Sequence, residues 1–345
     1  MRVKFYMCGG ERDRCVSRIP LGLGYLLSNL PAWVDASIAK RREDLVNCDL
    51  IGLSANAWGL QEAVDILQKT DTPVVIGGQG ALWDGLADFP FRHIVRGEGE
   101  TALLRICHGS VRDKVLRVPQ IPNIDILKPP LRGAIRNGVL PVMTSRGCPF
   151  HCRFCTARAH WQGVRWHSAE YVMAEITSGL AEFPDMKRVY FLDDLFIAHK
   201  ERFEKLHDLW VADPQIRDLP ATGFVRAGVF DDDAARMMID MGFRTVRFGA
   251  ESGSDRVLEL LGKGTTVEDN WRVVEICRRH GLVCTASFMH GIPGETPADA
   301  QATRDFIWQS GIRVEGWYKF AQWPGTDMYD GSSPLECDMR VRPSS

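Results

Sequence analysis

With 345 residues and 45% apolar content, the chain has material for two ordinary cores or one large one, and it reads as globular. Lys and Arg total 42 against 44 for Asp and Glu, so the strong positive excess of a nucleic-acid binder is missing and nucleic acid is disfavoured as a partner. The opening apolar run, Met1 to Cys8, turns polar from Gly9 through Arg14, too soon for a signal peptide or a membrane span. A cytoplasmic chain with no membrane partner is therefore expected.

Residues 1 to about 110 alternate short apolar runs with helical patterns, the mark of a parallel sheet covered on both faces. Strands are predicted at Val3 to Met7, Val34 to Ala39, Leu50 to Ser54, Val74 to Ile76 and His93 to Val95. Helical spacing falls at Leu21 to Leu30, Leu60 to Lys69, a short Leu82 to Ala87 segment and Thr101 to His108. The pattern predicts an α/β, flavodoxin-like, doubly wound sheet of five parallel strands. Ligands of such sheets bind beyond the carboxyl ends of the strands. Here those are the turns Cys8 to Arg14, Ser54 to Gly59, Gly77 to Ala81 and Gly97 to Glu100. Gly77, Gly78 and Gly80 would let a ligand approach the backbone, but glycine after a strand is also ordinary turn chemistry. The dinucleotide fingerprint is absent, because Gly22-x-Gly24 lacks a third glycine and a strand directly before it.

Residues 111 to 139 carry Pro119, Pro122, Pro129 and Pro130 with little periodicity and read as a linker. From Leu140, strands are predicted at Pro141 to Ser145, Arg188 to Leu192, Gly223 to Arg226, Thr245 to Phe248, Thr285 to Phe288 and Gly316 to Phe320. Helices alternate with them. One opens on the capping box Thr265-x-x-Glu268 and ends on Arg278-Arg279-His280-Gly281, and the next opens on Thr296-Pro297 and stops at Gly311. Six β/α units are too few for a closed eight-fold barrel. An open partial (β/α)6 barrel over residues 140 to 327 is expected, with its site at the carboxyl ends of the strands and a short polar tail from 328 to 345.

The stretch leaving the first of these strands is Thr144-Ser145-Arg146-Gly147-Cys148-Pro149-Phe150-His151-Cys152-Arg153-Phe154-Cys155. Three thiols spaced Cys-x3-Cys-x2-Cys suit a four-iron four-sulfur cluster with one iron left without a protein thiolate. Zinc would want a fourth ligand, for which only His151 and His160 are near. The remaining cysteines, Cys8, Cys15, Cys48, Cys107, Cys277, Cys284 and Cys337, read as free thiols, so a single cluster is expected. The other strand ends offer Asp193-Asp194, Arg226, Glu251-Ser252, His290 to Glu295 and Gln322 to Gly325, polar where a core would want apolar residues. Such a set can hold a zwitterion by charge-assisted hydrogen bonds, although acids at strand ends are more often helix caps. Trp161, Trp166, Trp317, Tyr318 and Trp323 crowd the expected mouth as core or as substrate wall. Arg153, Arg158 and Arg165 read as solvated loop charge ahead of an anion site.

On the triplet Cys148, Cys152, Cys155 and the six-unit barrel, residues 140 to 327 resemble the radical S-adenosylmethionine family. Tyr190 to Phe196, Phe248 to Gly253, Gly291 to Thr296 and Pro324 to Thr326 are similar to its motifs as well. The resemblance implies that the open iron takes the amino and carboxylate groups of S-adenosylmethionine, which is cleaved to methionine and a deoxyadenosyl radical. It places Phe154 beside the adenine and Asp193 or Asp194 at the methionine amino group. Arg226, Glu251, Ser252 and Lys263 fall at the carboxylate and ribose, and Gly291 in the same S-adenosylmethionine site.

The N-terminal half resembles the cobalamin-binding domain that precedes the barrel in one branch of this family, through Leu21 to Leu26, Asp49 to Ser54, Val74 to Gly78 and Arg96 to Thr101. That resemblance implies cobalamin near Ser54, Gly77, Gly78, Gly97 and Glu98. An Asp-x-His-x-x-Gly cobalt-ligand motif is missing, and Gly80 stands where many relatives place a histidine. The function implied is methyl transfer to an unactivated carbon or phosphorus centre of a small molecule or peptide, through methylcobalamin and a deoxyadenosyl radical. A reductant such as flavodoxin or ferredoxin would supply electrons. The alternative is a cobalamin-independent radical enzyme catalysing rearrangement, cyclisation, dehydrogenation or bond cleavage. An iron-sulfur electron carrier without turnover is a third reading, and it would need neither an open iron nor polar strand ends.

Overall fold

The computed structural model describes residues 1–9 and 19–335. The chain divides into two compact units. Among the described residues, the first comprises 1–9, 19–136, 156–162 and 322–335, and the second 137–155 and 163–321. Gly10 to Arg14 of the first predicted ligand turn, Cys15, Cys337 and the end of the tail lie outside the described residues. Among the described residues no helix is long and apolar enough to cross a membrane.

The first unit is built on a sheet in which every pairing is parallel, with the six strands Asp35–Ile38, Arg2–Cys8, Leu50–Ala55, Val74–Gly77, His93–Arg96 and Val115–Arg117 side by side in that order. The central strands Leu50–Ala55 and Val74–Gly77 are apolar along nearly their whole length because both faces of the sheet are covered. Ile51, Leu53 and Ile76 enter one core with Leu60, Ala63 and Leu86, and Val3, Leu50 and Val75 enter the other with Leu23, Leu103 and Ile106. The five-strand expectation is corrected to six. Val115–Arg117 lies inside the stretch read as a linker, and as an edge strand paired only to His93–Arg96 it shows no long apolar run. Residues from the other end of the sequence complete this unit. The Gly325 backbone packs on Leu82 and Ala159, and Leu335 packs against the first core.

The second unit carries six parallel strand positions in sequence order: Val139–Val142, Arg188–Phe191, Ala221–Val225, Thr245–Glu251, Val283–His290 and Arg313–Lys319. The third is broken at Gly223, so its two halves pair with different neighbours. Gly223 packs against Phe191 and Phe196, whose rings stack with Phe243 in the core beneath. Local signals set the helix ends. Thr296 and Asp299 form a reciprocal capping box, Pro297 opens the helix Pro297–Ser310, and Gly311 ends it at φ 60°. The preceding helix is capped one residue later than predicted, by Thr266 and Asp269 in place of Thr265 and Glu268. Two capping patterns overlap there, and the observed one leaves Thr265 buried and aims Val273, Val274 and Cys277 at the core.

Candidate active site

The first barrel strand ends at Val142, earlier than predicted, because Ser145–Arg146 peels away to pair antiparallel with Arg165–Trp166. The cysteine segment is therefore the loop of a short ribbon. Cys148, Cys152 and Cys155 are half-buried on it. Gly147, at φ 91°, makes the turn into the loop. At the tip, Arg153 donates its backbone N–H to Leu261 O at 2.9 Å and its Nη1 to Leu260 O at 3.1 Å. Gly262 beside them accommodates this approach, since a Cβ there would lie 2.7 Å from Arg153 Cγ. Arg153 is thus both an exposed loop charge and a tether, and its partners lie more than a hundred residues away.

Around this loop the structure gathers four of the predicted residues. Arg226, buried at the end of the third strand, donates Nη1 to Cys152 Sγ at 3.4 Å and Nη2 to Lys263 O. Its guanidinium lies 3.9 Å from the centroid of Phe150, a residue no sequence signal singled out. Lys263 places Nζ 2.9 Å from Glu251 Oε1 and 5.9 Å from the centroid of Phe154. Glu251 sits at a register irregularity of its strand with φ 65°, a left-handed backbone that is costly for a side chain bearing a Cβ and typical of functional sites. Cys152, Phe154, Arg226, Lys263 and Glu251 thus form one connected group. Its chemistry is a thiol under a guanidinium beside an aromatic face and a mostly buried ion pair.

The adjacent acids separate. Asp193 is buried and accepts from Thr144 N at 3.3 Å, Thr144 Oγ1 at 2.9 Å and Ser145 Oγ, so its oxygens brace the loop and do not face a ligand. Burial pushes its carboxyl up, and Arg202 and the hydroxyl donors oppose that shift. Asp194 is open to solvent yet crowded by protein on its other sides. Burial first, and then the charge of Asp193, push its carboxyl up to about 6. Cys148 is pushed up by burial, with Asp194 and Cys152 adding and Arg226 opposing. Ser252 is fully buried against Thr303 Oγ1 at 3.0 Å, a helix contact away from the group. Gly291, at φ 70°, donates its N–H to Glu295 Oε2 at 2.6 Å and shows no contact with the group.

In the first unit, Gly77 ends its strand with its Cβ position in ordinary van der Waals contact with Val95, 3.8 Å away. Gly78 at φ 89° turns the chain so that an added Cβ would lie 2.6 Å from Ala55 O and 3.3 Å from Ser54 Oγ. Gly97 turns at φ 109° under Val118 O. Glu98 is buried and accepts from Ile121 N, which makes it a brace for the following segment. Gly80 is wedged against Asn56 O and Leu60, each 2.9 Å from its Cβ position, leaving no room for an imidazole. Trp323 is separated from the last barrel strand and stands edge-on to Trp58 at 4.6 Å within this unit. Trp317 packs on Phe288 and Trp166 on His199 within the second unit, while Tyr318 is exposed.

The donor sets fit the groups the sequence implied. Three cysteines on one loop with a guanidinium on one of them suit a cluster that carries negative charge on its sulfurs. Gly77 and Gly78 lie at a strand end, where doubly wound sheets bind ligands. Among the described residues no three His, Cys, Asp or Glu side chains are gathered about a single-ion position.

The chain is similar over 361 aligned residues to an uncharacterized methyltransferase of Pyrococcus horikoshii, with 29% identity, 90% of this chain and 78% of that protein covered. It is 23% identical to the anaerobic magnesium-protoporphyrin IX monomethyl ester cyclase of Rubrivivax gelatinosus, covering 90% of this chain and 65% of that one. The radical S-adenosylmethionine methyltransferase TsrM from Kitasatospora setae, solved with tryptophan substrate and a SAM analog, superposes with a TM-score of 0.75 at 20% identity over 95% of this chain and 74% of its own. A second structure of TsrM, with cobalamin and a [4Fe-4S] cluster bound, superposes at 0.74. At such identity the likeness to TsrM is one of fold. Residues 142–307, which contain the cysteine loop, Arg226, Glu251 and Lys263, match the Radical SAM superfamily, so the chain carries a radical SAM domain.

Proposed function

We propose that this chain is a cobalamin-using radical S-adenosylmethionine methyltransferase acting on an unactivated carbon or phosphorus centre of a small molecule or peptide. The observation that carries the radical half is the connected group of Cys152, Phe154, Arg226, Lys263 and Glu251. Cys148, Cys152 and Cys155 hold the cluster, which when bound supplies the electron for reductive cleavage of S-adenosylmethionine. Arg226 keeps a positive charge against the thiolate of Cys152 and, through Lys263 O, fixes the turn that follows. Asp194, ionised above a carboxyl pKa of about 6, accepts from the ligand's ammonium, whose charge favours the ionised form further. Phe154 offers the adenine a face, and the Glu251–Lys263 pair offers polar atoms to the ribose and carboxylate. Asp193 and Ser252 serve the scaffold.

The corrinoid half is supported by the six-strand parallel sheet, by the Gly77–Gly78 turn at the end of its fourth strand and by the fold shared with TsrM. When bound, the corrinoid supplies a methyl carrier. Ser54, Gly77, Gly78 and Gly97 border its place. Gly80 and its crowded surroundings provide no side-chain ligand from that turn.

The test is anaerobic purification and reconstitution with iron, sulfide and hydroxocobalamin, followed by S-adenosylmethionine, a flavodoxin or chemical reductant, and candidate substrates. A retained corrinoid spectrum with equal yields of deoxyadenosine and S-adenosylhomocysteine is expected. A chain that keeps no corrinoid, and forms deoxyadenosine alone, would instead be the cobalamin-independent enzyme.

A further inference from the structure

We infer that Arg202 is a positioning residue for the cluster, closing the base of the cysteine loop together with Asp193. The inference rests on the reading of Cys148, Cys152 and Cys155 as cluster ligands. The ribbon from which the loop springs has only two paired positions, Ser145 with Trp166 and Arg146 with Arg165. So short a ribbon does not hold its own ends together in water. Immediately below it, His167 N donates to Thr144 O at 2.9 Å. Arg202 then spans both limbs. Its Nε donates to His167 O at 2.7 Å and its Nη2 to Thr144 O at 3.1 Å. From the other side Asp193 takes Thr144 N, Thr144 Oγ1 and Ser145 Oγ. Thr144, His167, Asp193 and Arg202 are all buried, so these bonds are little weakened by water.

The clamp belongs to the barrel and not to the loop. Asp193 follows the second strand, and Arg202 stands in the first turn of helix Lys200–Ala212, which Phe203 and Leu206 anchor in the core. At the far end the loop is tied by Arg153 to Leu260 and Leu261. The three thiols are therefore held between a fixed base and a fixed tip before any metal arrives. A planar guanidinium reaches the two carbonyls from two separate nitrogens in a fixed fork, whereas a lysine carries all its donors on a single nitrogen.

The test compares wild type with Arg202→Met, Arg202→Lys and Ser145→Ala, each as the full chain reconstituted with iron and sulfide. The measurements are iron per chain, electron paramagnetic resonance of the reduced cluster with and without S-adenosylmethionine, and thermal unfolding. Arg202→Met is expected to load several-fold less iron, or to give more than one cluster signal, and to lose the spectral change that S-adenosylmethionine induces in wild type. Arg202→Lys should recover part of each. If Arg202→Met does not fold, Ser145→Ala, which removes one hydrogen bond of the clamp, must still blunt the spectral change. Variants that only melt earlier while keeping wild-type iron content and spectral change would overturn the inference and leave Arg202 a stabilising residue. A wild-type chain that takes up no cluster would sink the ligand reading, and the clamp with it.

Discussion

Arg226 contacts a cluster cysteine, the turn carrying Lys263 and the ring of Phe150 with one planar group. Arg226→Lys keeps the charge but not the geometry. With loss of a charge-assisted hydrogen bond at roughly 1.5–3 kcal/mol, deoxyadenosine formation should fall about ten- to hundredfold while iron content holds. Single-turnover assay beside iron analysis checks it, and equal activity would remove Arg226 from the site. Cys152→Ala should abolish cleavage altogether. Arg226 and Lys263 were named from strand-end position and resemblance. Phe150 was not, and Arg153 was read only as loop charge or anion site, because an aromatic and an arginine in a loop carry no mark of partners 76 or 107 residues away. Asp193 and Asp194 were not separable either, since adjacent residues point opposite ways and only packing decides which one meets the ligand.

At the scale of the element, the box at Thr296 and Asp299 governs a helix that joins the fifth and sixth strands and packs Phe306 near Phe288 of the fifth. Hydrogen bonds from Arg256, Ser254 and Thr296, in that order of effect, hold the Asp299 carboxyl well below the usual carboxylate range. A depressed carboxylate stabilises fully above the unfolded pKa of about 3.9 and loses that stabilisation as pH falls further. Asp299→Ala should cost about 1–2 kcal/mol at pH 7, read from denaturant midpoints. The melting difference between wild type and Asp299→Asn should shrink from about pH 4 downward; a constant difference would mean that the charge is idle. In the first unit, Gly78→Ala puts a Cβ at φ 89° and 2.6 Å from Ala55 O. Strain of roughly 1–3 kcal/mol should follow, with weaker corrinoid retention by absorbance; a variant as stable as wild type would mean that the turn relaxes freely.

For the whole molecule, unit membership does not follow chain order. Residues 322–335 complete the first unit through Trp323 against Trp58, Gly325 against Leu82 and Leu335 in the core. Truncation after Ala321 should therefore lower the melting transition of the first unit by several degrees and leave iron loading near wild type. Calorimetry and iron analysis together check this; loss of cluster with an unchanged first transition would contradict it. Much was already determined by the sequence: alternation of apolar runs with capped helices, the six-unit barrel, and the thiol triplet with its unpaired fourth position. Those are local or periodic signals, and local chemistry writes them directly into composition and spacing. Only the tertiary structure decided the sixth strand at Val115–Arg117, the turning inward of Asp193, Glu98 and Ser252, the tether through Arg153, and the strap that returns to the first sheet. Each depends on a partner distant in sequence, and such a partner leaves no trace at the residue it meets.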